Sequence, residues 1–263
     1  MNLAHVPLLQ IQRDLYRLPR GRERFQTYLK TMLTPDGQGV SLLPLVAMNP
    51  MAKDHVSARL DAWLALDAEG IVARTIADAA TRLADAPGEF KLGLVLADDA
   101  QGGWTNRFSV ELAWRTSIRE FARDGWLSAI LWTSEEPTAQ TVIEAVLTAI
   151  FRAVFLGIHG SARTLRDLLA QEGRVMASAG CVGPVLAPNQ LTQDRAIIAP
   201  YLGADAADLP VVIPCLFGDH AAVSLGYTPL GLPLRAGLAL ALHDAQAAVG
   251  RAATVTTRAG SRR

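Results

Sequence analysis

The segment LGLVLADD, residues 92–99, decides the fold class that the sequence predicts. Its apolar part, Leu92–Ala97, is short and uninterrupted, and Asp98 and Asp99 end it. Such a run is typical of a strand that is buried on both faces, as the strands of parallel sheets are. We therefore interpret this segment as a buried strand whose carboxyl end carries two acids.

Three other apolar runs are predicted to be strands: Val40–Met48, Trp126–Trp132 and Val211–Phe217. Pro44 and Pro214 interrupt the first and the last of these runs. Because proline cannot donate to a β-ladder, Pro44 weakens the first prediction, and Pro214 indicates an edge strand or a bulge.

Longer segments with helical spacing lie between these runs. The alternation of the two patterns predicts an α/β fold, with a three-layer arrangement and a mostly parallel sheet of at least four strands flanked by helices. Residues 173–189 fit neither pattern. The predicted helices are residues 8–18, 22–33, 53–66, 71–83, 110–121, 139–158, 164–171, 191–201 and 236–249.

The chain has 263 residues, of which 50% are hydrophobic and 19% are charged. These values predict a globular protein in which residues 1–250 form a single α/β domain, with the N-terminal helices, residues 8–33, packed on it. Residues 251–263 contain four arginines and no acid, so we expect a mobile basic tail there.

The formal net charge is zero, so we expect neither nucleic acid nor an anionic membrane as a partner. With two cysteines and no signal-peptide pattern at the N-terminus, the sequence predicts a cytoplasmic protein with reduced thiols. Its most apolar segment, residues 141–158, contains Glu144 and Arg152, which favours a core helix over a membrane span.

Several strong functional motifs are missing from the sequence. It contains no G-x-x-x-x-G-K-[ST], no G-x-G-x-x-G after a strand and no G-x-S-x-G, so a P-loop, a dinucleotide site and a serine-hydrolase elbow are not expected. It also lacks H-E-x-x-H and C-x-x-C, the common zinc-binding spacings. Function must therefore be inferred from polar residues at the ends of the predicted strands.

The residues after the strand at 92–97 form the strongest candidate site. In open α/β sheets, ligands bind outside the carboxyl ends of the strands, where loops converge. Two carboxylates end this strand, two glycines let the backbone approach a ligand, and an arginine near a helix start suits an anion. A turn with an Arg–Asp ion pair explains the same residues without a function. The candidates are Asp98, Asp99, Gly102, Gly103, Trp104, Asn106 and Arg107.

Three other loops supply further candidates. Asn49 and Lys53 follow the first predicted strand, Glu135 follows the third, and His220 follows the fourth. We predict that His220 acts with Asp98 and Asp99 in catalysis, because histidine exchanges protons near neutral pH. Lys53 would hold an anion together with Arg107, whereas a turn and a helix start account equally well for Asn49 and Glu135.

These candidates predict a hydrolase or a group-transfer enzyme acting on a small anionic substrate that carries a phosphate or carboxylate. Carboxylates with a histidine suit general acid–base chemistry and are compatible with assistance by a divalent metal. The alternative is a non-catalytic protein, either a small-ligand-binding module or a homo-oligomeric scaffold. Its support is a group of aromatic residues, which also build interfaces: Trp104, Trp114, Trp126 and Trp132.

Overall fold

A computed structural model of the chain describes residues 1–100, 106–116 and 125–260, with residues 250–260 described by their backbone. The chain divides into two compact units. The first unit comprises Met1–Val110 and Ser117–Val154, and the second comprises Glu111–Thr116 and Phe155–Arg263. The prediction of a single domain over residues 1–250 stays a prediction.

The first unit contains a parallel sheet with the strand order β1-β2-β3. These strands are Asn2–Val6, Glu89–Ala97 and Trp126–Trp132, respectively. Residues 92–97 of β2 are all buried, as expected for the central strand of a parallel sheet. In the β2–β3 ladder, Ala97 is opposite Trp132, so the two strands end side by side. The predicted mixed α/β fold with a parallel sheet flanked by helices is confirmed.

Helices flank this sheet. The helix α1 (Leu8–Leu15) and a 3-10 helix, Leu43–Ala47, pack against β2, while the helix α4 (Ala68–Arg82) packs against β1. At the contact with α1, a Cβ atom on Gly93 would lie 2.3 Å from Leu8 Cδ1, so only glycine permits this approach. The helices of the first unit are α1 (Leu8–Leu15), α2 (Arg22–Met32), α3 (Asp54–Ala65) and α4 (Ala68–Arg82); α5 (Arg107–Thr116) and α6 (Ala139–His159) belong to both units.

The buried side chain of Gln12 hydrogen-bonds to the part of β2 that extends beyond the end of β1. The last β1 residue, Val6, is opposite Gly93, so Leu96 lies beyond the end of that ladder. Gln12 Nε2 donates to the carbonyl oxygen of Leu96 at 2.6 Å, and Gln12 Oε1 accepts from its N–H at 3.0 Å. One amide side chain thus satisfies two backbone groups that would otherwise be buried without partners.

The second unit is helical in its described part. Within it, the last helix, α11 (Ala236–Gly260), packs against three others: α7 (Leu165–Ala179), α8 (Pro188–Ile198) and α9 (Leu209–Phe217). A Cβ atom on Gly173 of α7 would lie 2.3 Å from the carbonyl oxygen of Ala241, which explains how α7 and α11 approach so closely. The helices are α7 (Leu165–Ala179), α8 (Pro188–Ile198), α9 (Leu209–Phe217), α10 (Asp219–Ser224) and α11 (Ala236–Gly260), with a 3-10 turn at Ala199–Tyr201.

Two of the four predicted strands are wrong. Leu43–Ala47, within the predicted strand Val40–Met48, is a 3-10 helix with a proline in its first turn, where the missing N–H is not needed. Val211–Phe217 belongs to the helix α9, because a short run of apolar residues suits a buried helix as well as a buried strand. The strand β1 was not predicted. At least four strands and a three-layer arrangement are not confirmed.

The segment left unassigned in the sequence, residues 173–189, begins as the second half of α7. Gly180, with φ of 73°, follows the last residue of that helix, and the next helix begins at Pro188. At the other end of the chain, residues 251–260 continue the helix α11, and residues 261–263 lie outside the described part. The predicted mobility of residues 251–263 is not tested by these observations.

One helix in the described part, α6, is long and apolar enough to cross a membrane by length and composition alone. In the structure, 39% of its most apolar window is buried. Val142, Val146 and Ile150 are fully buried, whereas Ile158 near its end is exposed. The cytoplasmic location and the absence of a membrane partner stay predictions.

Replacing Gln12 with alanine should strongly destabilise the protein. The change leaves the N–H and C=O groups of Leu96 buried without partners, and we expect a loss of about 2–4 kcal/mol in the free energy of unfolding. Urea denaturation measures this loss. Gln10→Ala is the control, because Gln10 is exposed and, within the described part of the chain, its side chain hydrogen-bonds only to Asp14. Equal effects of the two changes would contradict the role of Gln12.

Candidate functional site

The carboxyl ends of β2 and β3 bring two polar segments together in the first unit. Asp98 and Asp99 directly follow β2, and Thr133, Ser134 and Glu135 directly follow β3. The N–H of Thr133 donates to the carbonyl oxygen of Ala97, which extends the ladder by one residue and holds the two segments in register. The structure therefore brings Asp98, Asp99 and Glu135 together at the carboxyl end of the sheet.

Asp98 lies at the centre of this edge and is only 2% exposed. Among the described residues, its Oδ1 atom accepts hydrogen bonds from His55 Nε2 at 2.8 Å, Thr133 Oγ1 at 3.0 Å and the N–H of Ala100 at 3.2 Å. Burial acts to raise the pKa of Asp98, but the donors from His55, Thr133 and Ala100 outweigh it and hold that pKa below its usual value. Asp98 is therefore a carboxylate near neutral pH.

His55 also lies at this end of the sheet, and it was not predicted from the sequence as a site residue. It is the second residue of α3, and its side chain is 19% exposed. The Nδ1 atom is buried, and no described residue hydrogen-bonds to it. The only signal in the sequence was a histidine two residues after the candidate Lys53. In the structure, the packing of Val56, Leu60 and Trp63 orients α3.

Asp99 holds the ends of the two strands together. Its Oδ1 atom accepts from the N–H of Ser134 at 2.9 Å and lies 3.0 Å from Thr133 Oγ1. Its Oδ2 atom accepts from Ser134 Oγ at 2.7 Å and from Arg107 Nη1 at 3.1 Å. With this many donors, Asp99 is positioned as a structural cross-link rather than as a group open to a ligand.

Arg107 connects both strand ends from the first residue of α5. In addition to Asp99, its guanidinium contacts Glu135 Oε1 at 2.5 Å and lies over the ring of Trp132, 5.1 Å from the centroid. Two carboxylates therefore compensate its single positive charge. An anionic substrate at Arg107 would therefore compete with these two carboxylates for the same positive charge.

The remaining candidates of the first unit have different surroundings. The side chain of Asn106 accepts from the N–H groups of Phe108 and Ser109, so it caps α5. The side-chain oxygen of Asn49 accepts from the N–H of Met51 and stabilises a turn. Lys53 is exposed, and its side chain has no hydrogen bond or ion pair within the described part of the chain. Gly102, Gly103 and Trp104 lie outside the described residues.

His220 belongs to the second unit, where it lies on the short helix α10 and is exposed. Because Val211–Phe217 is helical, His220 does not follow a strand, and the reason for grouping it with Asp98 and Asp99 no longer holds. The neighbouring Asp219 accepts from the N–H groups of Leu230, Gly231 and Leu232, so it stabilises the loop that follows. A catalytic role for His220 stays a prediction.

Metal binding gains no support from the described side chains. Among residues 1–100, 106–116 and 125–249, no group of three or more His, Cys, Asp or Glu side chains is arranged to hold a metal ion. In the second unit, burial raises the pKa of the Cys215 thiol to about 12, which keeps it protonated and unsuited to ligation. Assistance by a divalent metal stays a prediction from the sequence.

The lowered pKa of Asp98 predicts a specific dependence of stability on pH. The unfolded chain takes up this proton at a higher pH than the folded protein does. Asp98 therefore stabilises the fold above its ordinary pKa of about 4, and this contribution is lost as pH falls through the lower, folded pKa. We expect the stability of Asp98→Asn to fall less steeply with acid than that of the wild type.

Urea denaturation between about pH 2.5 and 6 compares the two proteins. The exposed residue Asp78, changed to asparagine, serves as the matched control, and it should follow the wild-type curve. Parallel curves for wild type and Asp98→Asn would show that the hydrogen bonds to Asp98 do not lower its pKa.

No protein family, no curated protein and no solved structure matches the chain. The chemistry of the strand ends is therefore the basis on which a function is inferred.

Proposed function

We propose that this protein is a hydrolase or group-transfer enzyme that acts on a small anionic substrate and uses His55 and Asp98 as its acid–base pair. The observation that carries the proposal is the 2.8 Å hydrogen bond between His55 Nε2 and a buried carboxylate at the end of the central strand. The sequence prediction of the reaction class is kept, while His55 replaces His220 as the candidate base.

The surroundings of His55 suit proton transfer. A carboxylate that hydrogen-bonds one ring nitrogen fixes the orientation of the imidazole and stabilises the imidazolium that forms when the other nitrogen takes a proton. Asp98 is itself held by Thr133 and Ala100, so the acceptor does not need to reorganise during the reaction. The pair therefore has the geometry of a general base and its orienting acid.

Lys53 is the better candidate for binding an anionic group of the substrate. It precedes the first residue of α3, where a cation is electrostatically disfavoured unless an anion is present. In contrast to Arg107, it has no partner among the described residues. Lys53 and His55 are two residues apart at the start of α3.

The alternative of a non-catalytic ligand-binding or scaffold protein is favoured by one observation. Arg107 already binds both Asp99 and Glu135, as structural groups do. The aromatic argument for an oligomeric scaffold is weaker than the sequence suggested, because Trp126 and Trp132 are buried within the first unit. A homo-oligomer is retained as a proposal that is independent of the acid–base pair.

A ligand screen tests the enzyme proposal. The purified protein is heated with each member of a panel of small phosphate and carboxylate metabolites, and a ligand that binds the native state raises the melting temperature. We expect Lys53→Ala to weaken binding of such a ligand about tenfold, the loss of one charged hydrogen bond of about 1.5 kcal/mol. Lys30→Ala, on α2, is the matched control.

Ligands found in this way are then assayed for turnover by NMR. We expect His55→Gln to lower the rate by about 10²–10⁴, the typical contribution of a general base, while binding is preserved. His220→Gln is the matched control and should leave the rate unchanged. A rate that depends on His220 and not on His55 would overturn our assignment and restore the one made from the sequence.

A further inference from the structure

The strand β3 lies at one end of the strand order β1-β2-β3, so one of its two edges has no neighbouring strand in the described part of the chain. The carbonyl oxygen of Gly125 accepts from the N–H of Lys91, and the N–H of Thr133 donates to Ala97 of β2. The odd-numbered residues of this segment therefore direct their backbone groups toward β2. Because successive residues of a strand direct these groups to opposite edges, the N–H and C=O groups of the even-numbered residues face away from β2.

Ser128 and Ile130 are the accessible part of this outer edge. They are half-buried, whereas the other five residues of β3 are buried. The Oγ atom of Ser128 is itself buried, so the exposed part of that residue is its backbone and its Cβ atom. No described residue hydrogen-bonds to the outward N–H or C=O group of either residue. Two donors and two acceptors thus have no protein partner along this edge in the described structure.

The outer edge ends at Trp132. Glu135 Oε2 accepts from the N–H of Trp132 at 3.2 Å, and the N–H of Glu135 donates to the carbonyl oxygen of Trp132 at 3.0 Å. Both outward groups of Trp132 are thus satisfied within the chain. At the other end of the strand, Trp126 is only 4% exposed, which leaves little of its backbone accessible. A partner strand could therefore hydrogen-bond along Ser128 and Ile130 but not beyond Trp132.

The sequence of β3 lacks the features that protect a sheet edge in a monomeric protein. Such edges usually carry a charged residue, a proline or a bulge, or they are very short. Trp126–Trp132 contains no charged residue, no proline and no glycine, and its ladder with β2 has no bulge. The strand at the opposite edge, β1, has only five residues, and α4 packs against it. An apolar edge without these features is expected to pair with another strand.

We infer that β3 pairs with β3 of a second copy of this chain, antiparallel and about a twofold axis, so that two sheets of three strands join into one sheet. The axis passes beside Ala129. Ser128 then lies opposite Ile130 of the partner subunit, and Ile130 lies opposite Ser128 of the partner subunit. In an antiparallel ladder, each such pair exchanges two hydrogen bonds, so the two pairs use all the free backbone groups of both edges.

A second copy fits this edge better than an unrelated strand does. Glu135 ends the edge in both copies, so a longer foreign strand would gain no further hydrogen bonds at that end. The strand carries no charged residue, so like charges do not oppose its pairing with itself. Among the described residues, β1, β2 and β3 are the only strands, so the chain itself supplies no described strand for this edge. The pairing is isologous, as it is in most homodimers.

The dimer is expected to be weak. Two short edges bury less area than a standard interface of about 1,600 Å², so we expect a dissociation constant of about 100 µM. This inference does not depend on the acid–base pair. Turnover that requires His55 can be observed whether or not the dimer forms, and a dimer can form in a protein without activity.

Sedimentation and NMR amide exchange of the full-length protein test the inference. Between about 20 µM and about 1 mM, sedimentation should show a change from mainly monomer to mainly dimer. Over the same range, exchange of the N–H groups of Ser128 and Ile130 should slow about fourfold, in proportion to the remaining monomer. The N–H groups of Leu127, Ala129 and Leu131 face β2 and serve as internal controls, because they should be protected at every concentration.

Two variants of Ile130 locate the interface. Ile130→Pro removes an outward N–H group and no hydrogen bond to β2, and we expect it to weaken the dimer about tenfold or more. Ile130→Lys places two positive charges close together across the axis and should abolish the dimer up to about 1 mM. Val40→Lys is the matched control, because Val40 is an exposed β-branched residue outside the sheet, and it should leave the association unchanged.

A wild-type protein that stays monomeric up to about 1 mM would overturn the inference. So would N–H groups of Ser128 and Ile130 that are protected equally at every concentration, because the edge would then be covered within the chain. A dimer that persists in Ile130→Lys would show that another surface forms it. The exchange of the wild-type protein decides the question even if both variants of Ile130 fail to fold.

Discussion

The parallel pairing of β2 with β3 is the constraint on which the candidate site depends. Because Ala97 is opposite Trp132, the residues that follow both strands leave the sheet at the same edge. Parallel strands with both faces covered leave their polar groups only at such ends. Two aspartates and a Thr-Ser-Glu segment therefore meet at one place, although 34 residues separate Asp99 from Thr133 along the chain.

The buried carboxylate of Asp98 and its hydrogen-bond donors determine the chemistry at this end of the sheet. A carboxylate that is 2% exposed would be costly if it were unpaired, and the donors to its Oδ1 atom compensate that cost. One of those donors is an imidazole, so the group that stabilises a buried charge is also able to exchange protons. Asp99 has a different role. Its hydrogen bonds to Ser134 and Arg107 join the end of β2 to the segment after β3 and to the start of α5.

The spacing of apolar residues along the chain was sufficient to predict several strands and helices. The strands at 92–97 and 126–132 and the helices around 53–66, 71–83 and 139–158 follow from apolar spacing alone. It was insufficient at Val40–Met48 and Val211–Phe217, because an apolar run that contains proline fits a buried helix or a 3-10 turn equally well. His55 could not be identified in this way, since nothing in its neighbours along the chain indicates a carboxylate 43 residues away.

The sequence by itself determined that the fold is mixed α/β with a parallel sheet, and it determined the two long strands and the acids at their ends, because hydrophobic periodicity and the residues that end strands are local properties. Only the tertiary structure decided which side chains surround those acids. In the structure, His55 hydrogen-bonds to Asp98, and Arg107 forms ion pairs with Asp99 and Glu135. His220 lies on a helix and not at the end of a strand. Each of these results depends on the packing of segments that are distant along the chain, and that packing leaves no periodic signal in the sequence.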